Sequence, residues 1–133
     1  MTKVIIVTHG SLADGLLSAA ELIVGKQEDV KTFGVELGCD LEILKQSIRD
    51  VLEQWHKTKE FVIILTDIFF GTPFNIVMSL VETYEFVHIT GVNLGIVLEI
   101  LMKKDELDFN DFEHIIEQGK TGIVNCSDII SKV

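Results

Sequence analysis

Two short apolar runs, each ending in polar residues, constrain what this chain can fold into more than anything else in it. Val4, Ile5, Ile6 and Val7 lead straight into Thr8, His9 and Gly10. Phe61, Val62, Ile63, Ile64 and Leu65 lead into Thr66 and Asp67. A strand with one wet face would alternate apolar and polar residues. An unbroken apolar run instead reads as a strand buried on both faces, which is the habit of parallel sheets covered by helices. In such sheets ligands bind outside the carboxyl ends of the strands. His9 and Asp67, the first polar groups past each run, are therefore the residues to watch.

The rest of the chain alternates helix and strand signals. Ser11 is placed to cap a helix, with Asp14 three residues on, and Leu12, Leu16, Ala19, Ala20 and Ile23 follow helical spacing until Gly25. Residues 30–35 give a weaker strand signal. Asp40 is placed to cap a second helix, with Leu41, Leu44, Ile48, Val51, Leu52 and Trp55 on one face. Thr72 at the N-cap and Pro73 at the first helical position predict a third helix, running to about Tyr84. Residues 86–90 form a fourth strand, and Asn93 caps a helix reaching about Lys104. Lys103, Lys104, Asp105 and Glu106 read as a solvated turn. Phe109, Phe112, Ile115 and Ile116 belong to a last helix ending near Gly119, and residues 122–126 suit a short fifth strand. The expected fold class is α/β: a doubly wound, mostly parallel open sheet with flavodoxin-like order and helices on both faces. That order makes the first and third strands neighbours, so His9 and Asp67 should share one crevice. A length of 133 residues favours one domain over 1–133.

Composition removes several function classes. With 21 acidic against 11 basic residues the net charge is −10, which repels phosphate backbones and argues against nucleic acid as a partner. The same charge suits docking to a basic patch on another protein. Cys39 and Cys126 are the only cysteines and form no C-x-x-C pair, so neither a disulfide framework nor a zinc site is expected. His56, His88 and His114 lack metal spacing and read as surface or strand residues. No metal or cofactor is expected. The apolar run at the N-terminus is too short for a signal-peptide core, and no run approaches the roughly 18 residues that cross a bilayer. A cytoplasmic protein is the expectation. The hydrophobic content of 47% and mean hydropathy of +0.38 exceed what a buried parallel sheet accounts for, which points to an apolar subunit interface and an oligomer.

The polar strand ends suggest a chemistry. Helices start beside both of them, and helix N-termini attract anions without any Lys or Arg. A neutral imidazole carries a lone pair on one nitrogen, and a carboxylate bonded to the other N–H fixes the tautomer and stabilises the cation formed on attack. His9 as nucleophile and Asp67 as orienting acid would then allow reversible phosphoryl capture. Gly71 lets the backbone come close. Each residue also has an ordinary reading. His9 could satisfy a turn, Asp67 could cap backbone amides, Gly71-Thr72-Pro73 could be only a helix start, and Phe69, Phe70 and Phe74 could be core, interface or docking residues.

Together, Val7-Thr8-His9-Gly10, Asp67 with Gly71-Thr72-Pro73-Phe74-Asn75, and Thr90-Gly91-Val92-Asn93 resemble enzyme IIA of the mannose/fructose/sorbose family of the bacterial phosphoenolpyruvate-dependent sugar phosphotransferase system. The resemblance covers residues 3–124. It implies that His9 accepts a phosphoryl group from the phosphocarrier HPr and passes it to an enzyme IIB component, and so serves membrane sugar permease components indirectly. It implies that Asp67 orients the imidazole and that Gly71 and Thr72 lie over the phosphate. It implies strand order 2-1-3-4 and a homodimer in which a C-terminal strand, here around Asn125, crosses to the partner. One position departs from the pattern: Phe70 stands where familiar members have a glycine. A catalytically altered protein-binding relative is the alternative this departure raises. Thr8-His9-Gly10 also resembles the Arg-His-Gly of histidine phosphatases, but the phosphate-binding arginine is missing and Arg49, the one arginine, falls inside a helix. A response-regulator receiver would need an acidic pair where Thr8 and His9 stand. A P-loop would need Lys-Ser or Lys-Thr where Leu16 and Leu17 follow Gly15.

Overall fold

The structure is a computed structural model that describes residues 1–131. Four strands form one sheet: β1 (Thr2–His9), β2 (Val30–Val35), β3 (Phe61–Thr66) and β4 (Val87–Thr90). Their order is β2-β1-β3-β4 and all neighbours run parallel. The α-helices among the described residues are α1 (Leu12–Val24), α2 (Leu41–Lys57), α3 (Thr72–Met78), α4 (Leu94–Lys103), α5 (Phe112–Thr121) and α6 (Cys126–Ser131).

The apolar runs split between two cores by simple alternation. Val4 and Ile6 of β1 face one side, with Ile63 and Leu65 of β3, and are covered by α1, α4 and α5. Ile5 and Val7 face the other, with Val62 and Ile64, and are covered by α2 and the α3 region. Val4, Ile5, Ile6 and Val7 are all fully buried. Each such side chain contributes roughly 1.5–3 kcal/mol relative to exposure. This two-sided burial explains why the runs do not alternate in sequence, and it is the doubly wound fold expected from them.

Several local expectations change. Ser11 occupies the N-cap position of α1 but makes no side-chain cap. Thr8, buried at the end of β1, takes the job, its Oγ1 accepting from Ala13 N at 2.8 Å. Gly71, not Thr72, is the N-cap of α3. That helix stops at Met78, six residues before Tyr84; Ser79 bonds back to the Ile76 carbonyl at 2.6 Å. The turns that follow let Leu80 and Tyr84 both reach the core. The segment around Lys104 is tied down rather than solvated. Its carbonyl accepts from Thr2 Oγ1 at 2.6 Å, and its ammonium lies 3.4 Å from Asp29. Phe109 precedes α5 in a single 3-10 turn and stands edge-on to Phe61, ring centres 5.3 Å apart.

The fifth strand does not form in the single chain. Residues 122–125 are irregular and lead into α6, with Asn125 Oδ1 accepting from Ser127 N at 3.1 Å. A strand exists only through its ladder partner, and this segment has none among the described residues. No helix among the described residues is long and apolar enough to cross a membrane.

Candidate functional site

Strand register brings the site together. Val7 of β1 pairs with Thr66 of β3. Thr8 and His9, the last residues of β1, and Asp67, just past β3, therefore come to the same rim. The Asp67 carboxylate Oδ2 lies 2.8 Å from His9 Nδ1 and accepts from the His9 backbone N at 2.9 Å. Its Oδ1 accepts from Ile68 N at 3.1 Å. The same carboxylate thus holds both the ring and the main chain of His9. Burial works to raise the Asp67 pKa, but the hydrogen bonds from His9 backbone and ring outweigh it and hold the carboxyl below its usual range. Asp67 is therefore a carboxylate, and the Nδ1 facing it carries the proton. In a neutral imidazole this tautomer leaves the lone pair on Nε2. The His9 side chain is 48% exposed and Asp67 only 9%, so a half-exposed ring stands over a shielded anchor.

Glycines set the backbone around this pair. A Cβ on Gly71 would lie 2.9 Å from His9 Cε1, the ring atom between the two nitrogens. With no Cβ at this position, the β3–α3 loop lies against the imidazole without displacing it. Thr72 follows directly, at the first position of α3. Gly34 in β2 was not singled out by its sequence. It pairs with Thr8, and a Cβ there would meet the Gly10 carbonyl oxygen at 2.2 Å. Gly10 has φ +55° and donates its N–H to Val35 O at 2.9 Å. Gly34 thus makes room for the sharp exit of the chain after His9. The available signal was a lone glycine inside a strand pattern, which marks close backbone approach.

His88 is a strand residue, one of the two readings its sequence allowed. It is partly buried in β4, its Nε2 2.8 Å from Thr66 Oγ1, and Thr66 Oγ1 bonds to Thr90 Oγ1 at 2.9 Å. Burial lowers its pKa from 6.5 to about 4. The folded protein keeps His88 neutral while the unfolded chain takes up a proton below pH ~6.5. Stability from this group is complete above that pH and is lost as pH falls towards 4. We expect about 1 kcal/mol of stability to go between pH 7 and 5, once partial solvent screening is allowed for. Urea midpoints at the two pH values should converge in a His88→Gln variant; an unchanged difference would contradict the assignment.

The other histidines stay apart from the site: His56 lies near the end of α2 and His114 in α5, both exposed. Arg49 lies within α2 and donates to Gln46 Oε1 at 2.8 Å, so no phosphatase-type arginine stands beside His9. Among the described residues no group of three or more His, Cys, Asp or Glu side chains is arranged to hold a metal ion.

Comparison with known proteins gives the same direction. Residues 3–117 match the family described as EIIA-man, PTS system fructose IIA component. The PTS system mannose-specific EIIAB component of Escherichia coli (strain K12) is 34% identical over 127 residues, which is 90% of this chain but 38% of that protein. The chain thus spans well under half the length of that relative. The PTS system fructose-specific EIIA component of Bacillus subtilis (strain 168) is 28% identical over 135 residues, covering 100% of this chain and 92% of the relative. The crystal structure of phosphotransferase system component EIIA from Streptococcus agalactiae superposes with TM-score 0.80 at 30% identity, over 96% of this chain and 99% of the other. The PTS IIA protein associated with the fucose utilization operon of Streptococcus pneumoniae reaches TM-score 0.87 over 97% and 96% of the two chains; at 23% identity this is a likeness of fold.

Proposed function

This chain belongs to the EIIA-man family of PTS IIA components, phosphotransferases that carry a phosphoryl group on a histidine, and we propose that His9 is that histidine. The carrying observation is the 2.8 Å contact of His9 Nδ1 with the Asp67 carboxylate, which leaves Nε2 as the nucleophile. In the reaction the Nε2 lone pair attacks phosphorus while the bond from phosphorus to the donor's leaving group breaks, its electron pair returning to the donor. His9 becomes a phosphorylated imidazolium that retains its Nδ1 proton, and Asp67 neutralises the charge. Transfer onward reverses these changes. In this reading Gly71 and Thr72 lie over the phosphoryl group, whose oxygens meet backbone N–H groups at the helix starts rather than ammonium or guanidinium charges.

The donor in this reading is phospho-HPr and the acceptor an enzyme IIB component, which in turn serves a membrane sugar permease. The protein would work in the cytoplasm, at most peripherally associated with that permease, as a single domain and without a cofactor. It would also form a homodimer by exchange of the C-terminal segment. Exposed Ile123, Val124, Ile129 and Ile130 support this, since such a patch gains by burial against a second copy. Light scattering should give the mass of two chains; a monomer at micromolar concentration would count against it.

The test is incubation with phosphoenolpyruvate, enzyme I and HPr, followed by intact mass. One added phosphoryl group is expected, lost again when IIB is supplied. Asp67→Asn should still be labelled, but more slowly by roughly tenfold or more, because the amide accepts from Nδ1 without neutralising the imidazolium. A rate equal to wild type would remove Asp67 from the mechanism.

A further inference from the structure

The β3–α3 loop holds an arrangement that the fold itself does not require. Phe70 has φ +64°, the left-handed conformation that side-chain-bearing residues seldom adopt. Its side chain is nevertheless 70% exposed, and Phe69 beside it is 63% exposed. The two ring centres are 3.9 Å apart, and both rings lean on Phe74, at 5.1 and 5.3 Å. Phe74 is itself braced against the His88 ring at 5.4 Å. The result is a pre-organised aromatic knob, standing in water on the loop that touches the nucleophilic imidazole. Backbone strain combined with exposed apolar surface is uphill for an isolated chain, and such features gather at sites of contact.

Charge narrows what the knob meets. The four rim segments, each a loop with the first turn of its helix, are residues 10–15, 36–44, 67–75 and 91–97. They contain Asp14, Glu36, Asp40, Glu42 and Asp67 and no Lys or Arg. A donor arriving with a phosphoryl dianion is repelled by such a rim. Its complex therefore needs cations of its own beside the phosphoryl group and a contact that does not depend on charge. A free small phosphate ester has neither. Exposed Leu12 lies on the rim segment that follows the neighbouring strand β1.

Resting on the phosphocarrier reading, we propose that Phe69 and Phe70 form the docking knob for the phosphoryl donor. That donor is a protein whose phosphoryl-bearing side chain lies beside an apolar socket rimmed with Lys or Arg. Buried aromatic anchors of this kind dominate interface energetics.

The experiment compares wild type with Phe70→Asn and Phe70→Tyr. Asn tolerates the left-handed backbone but removes the ring; Tyr keeps the ring. Initial rates are measured with phospho-HPr as donor, with IIB as acceptor, and with phosphoramidate, a small donor that needs no docking. For Phe70→Asn we expect KM for phospho-HPr to rise about tenfold with kcat within about twofold, and Phe70→Tyr to restore it. Labelling of His9 by phosphoramidate should be unchanged. A KM within about twofold of wild type overturns the proposal. So does a rise confined to transfer to IIB, or an equal loss with phosphoramidate, which would place Phe70's effect on His9 itself. Wild type labelled by phosphoramidate but not by phospho-HPr would instead overturn the HPr-dependent reading, and the knob with it.

Discussion

His9→Ala is expected to abolish phosphoryl incorporation from phosphoenolpyruvate, enzyme I and HPr, while the protein stays folded. Among the described residues no other histidine stands free at the rim: His88 is bonded to Thr66, and His56 and His114 lie on helices away from it. Little packing goes with the ring, since the side chain is half exposed. Asp67 keeps two of its three donors, the backbone N–H groups of residue 9 and Ile68. The stability change should stay within about 1 kcal/mol. Intact mass and a thermal melt check both halves of the expectation. Undiminished labelling of the variant would defeat the assignment.

Gly34→Ala is expected to damage both stability and transfer, although its side chain would not reach the phosphoryl group. The added Cβ would sit 2.2 Å from the Gly10 carbonyl oxygen and 3.3 Å from its carbon. Neither strand can step aside easily. β1 is central, with ladders to β2 and β3, and Gly10 N is held by Val35 O at 2.9 Å. The turn after His9 must move instead. We expect a loss of about 3 kcal/mol, seen as a fall in Tm of about 10 °C. The displaced imidazole should slow labelling by about 10²-fold. Wild-type melting and rate in this variant would show that the close approach carries no consequence.

The placement of the site was legible from the sequence because the signal was strong at particular residues. Val4 to Val7 and the run ending at Leu65 have no polar residue to spare for solvent, so both had to be interior strands. Parallel crossovers then send their polar ends to one rim. Asp40 and Asn93 were read correctly as caps because Asp and Asn act on N–H groups two or three residues away, a local interaction that needs no tertiary information. Ser11 fits the local cap pattern, but Thr8 at the end of β1 makes the side-chain bond instead. Beyond Met78 the backbone turns, and Leu80 and Tyr84 are buried without a continuous helix.

What the amino-acid order alone determined is the layered α/β sheet and the meeting of His9 with Asp67. Unbroken apolar runs need cover on both faces and parallel crossovers send their polar ends to one rim, where the flavodoxin-like order makes the first and third strands neighbours. What the tertiary structure decided is everything that depends on close approach between segments distant in sequence: Gly34 under Gly10, Gly71 against the imidazole, Thr66 with His88, and the outward set of Phe70. These depend on distances of a few ångströms between backbones, and residue pattern encodes which faces are apolar, not how closely two chains pass.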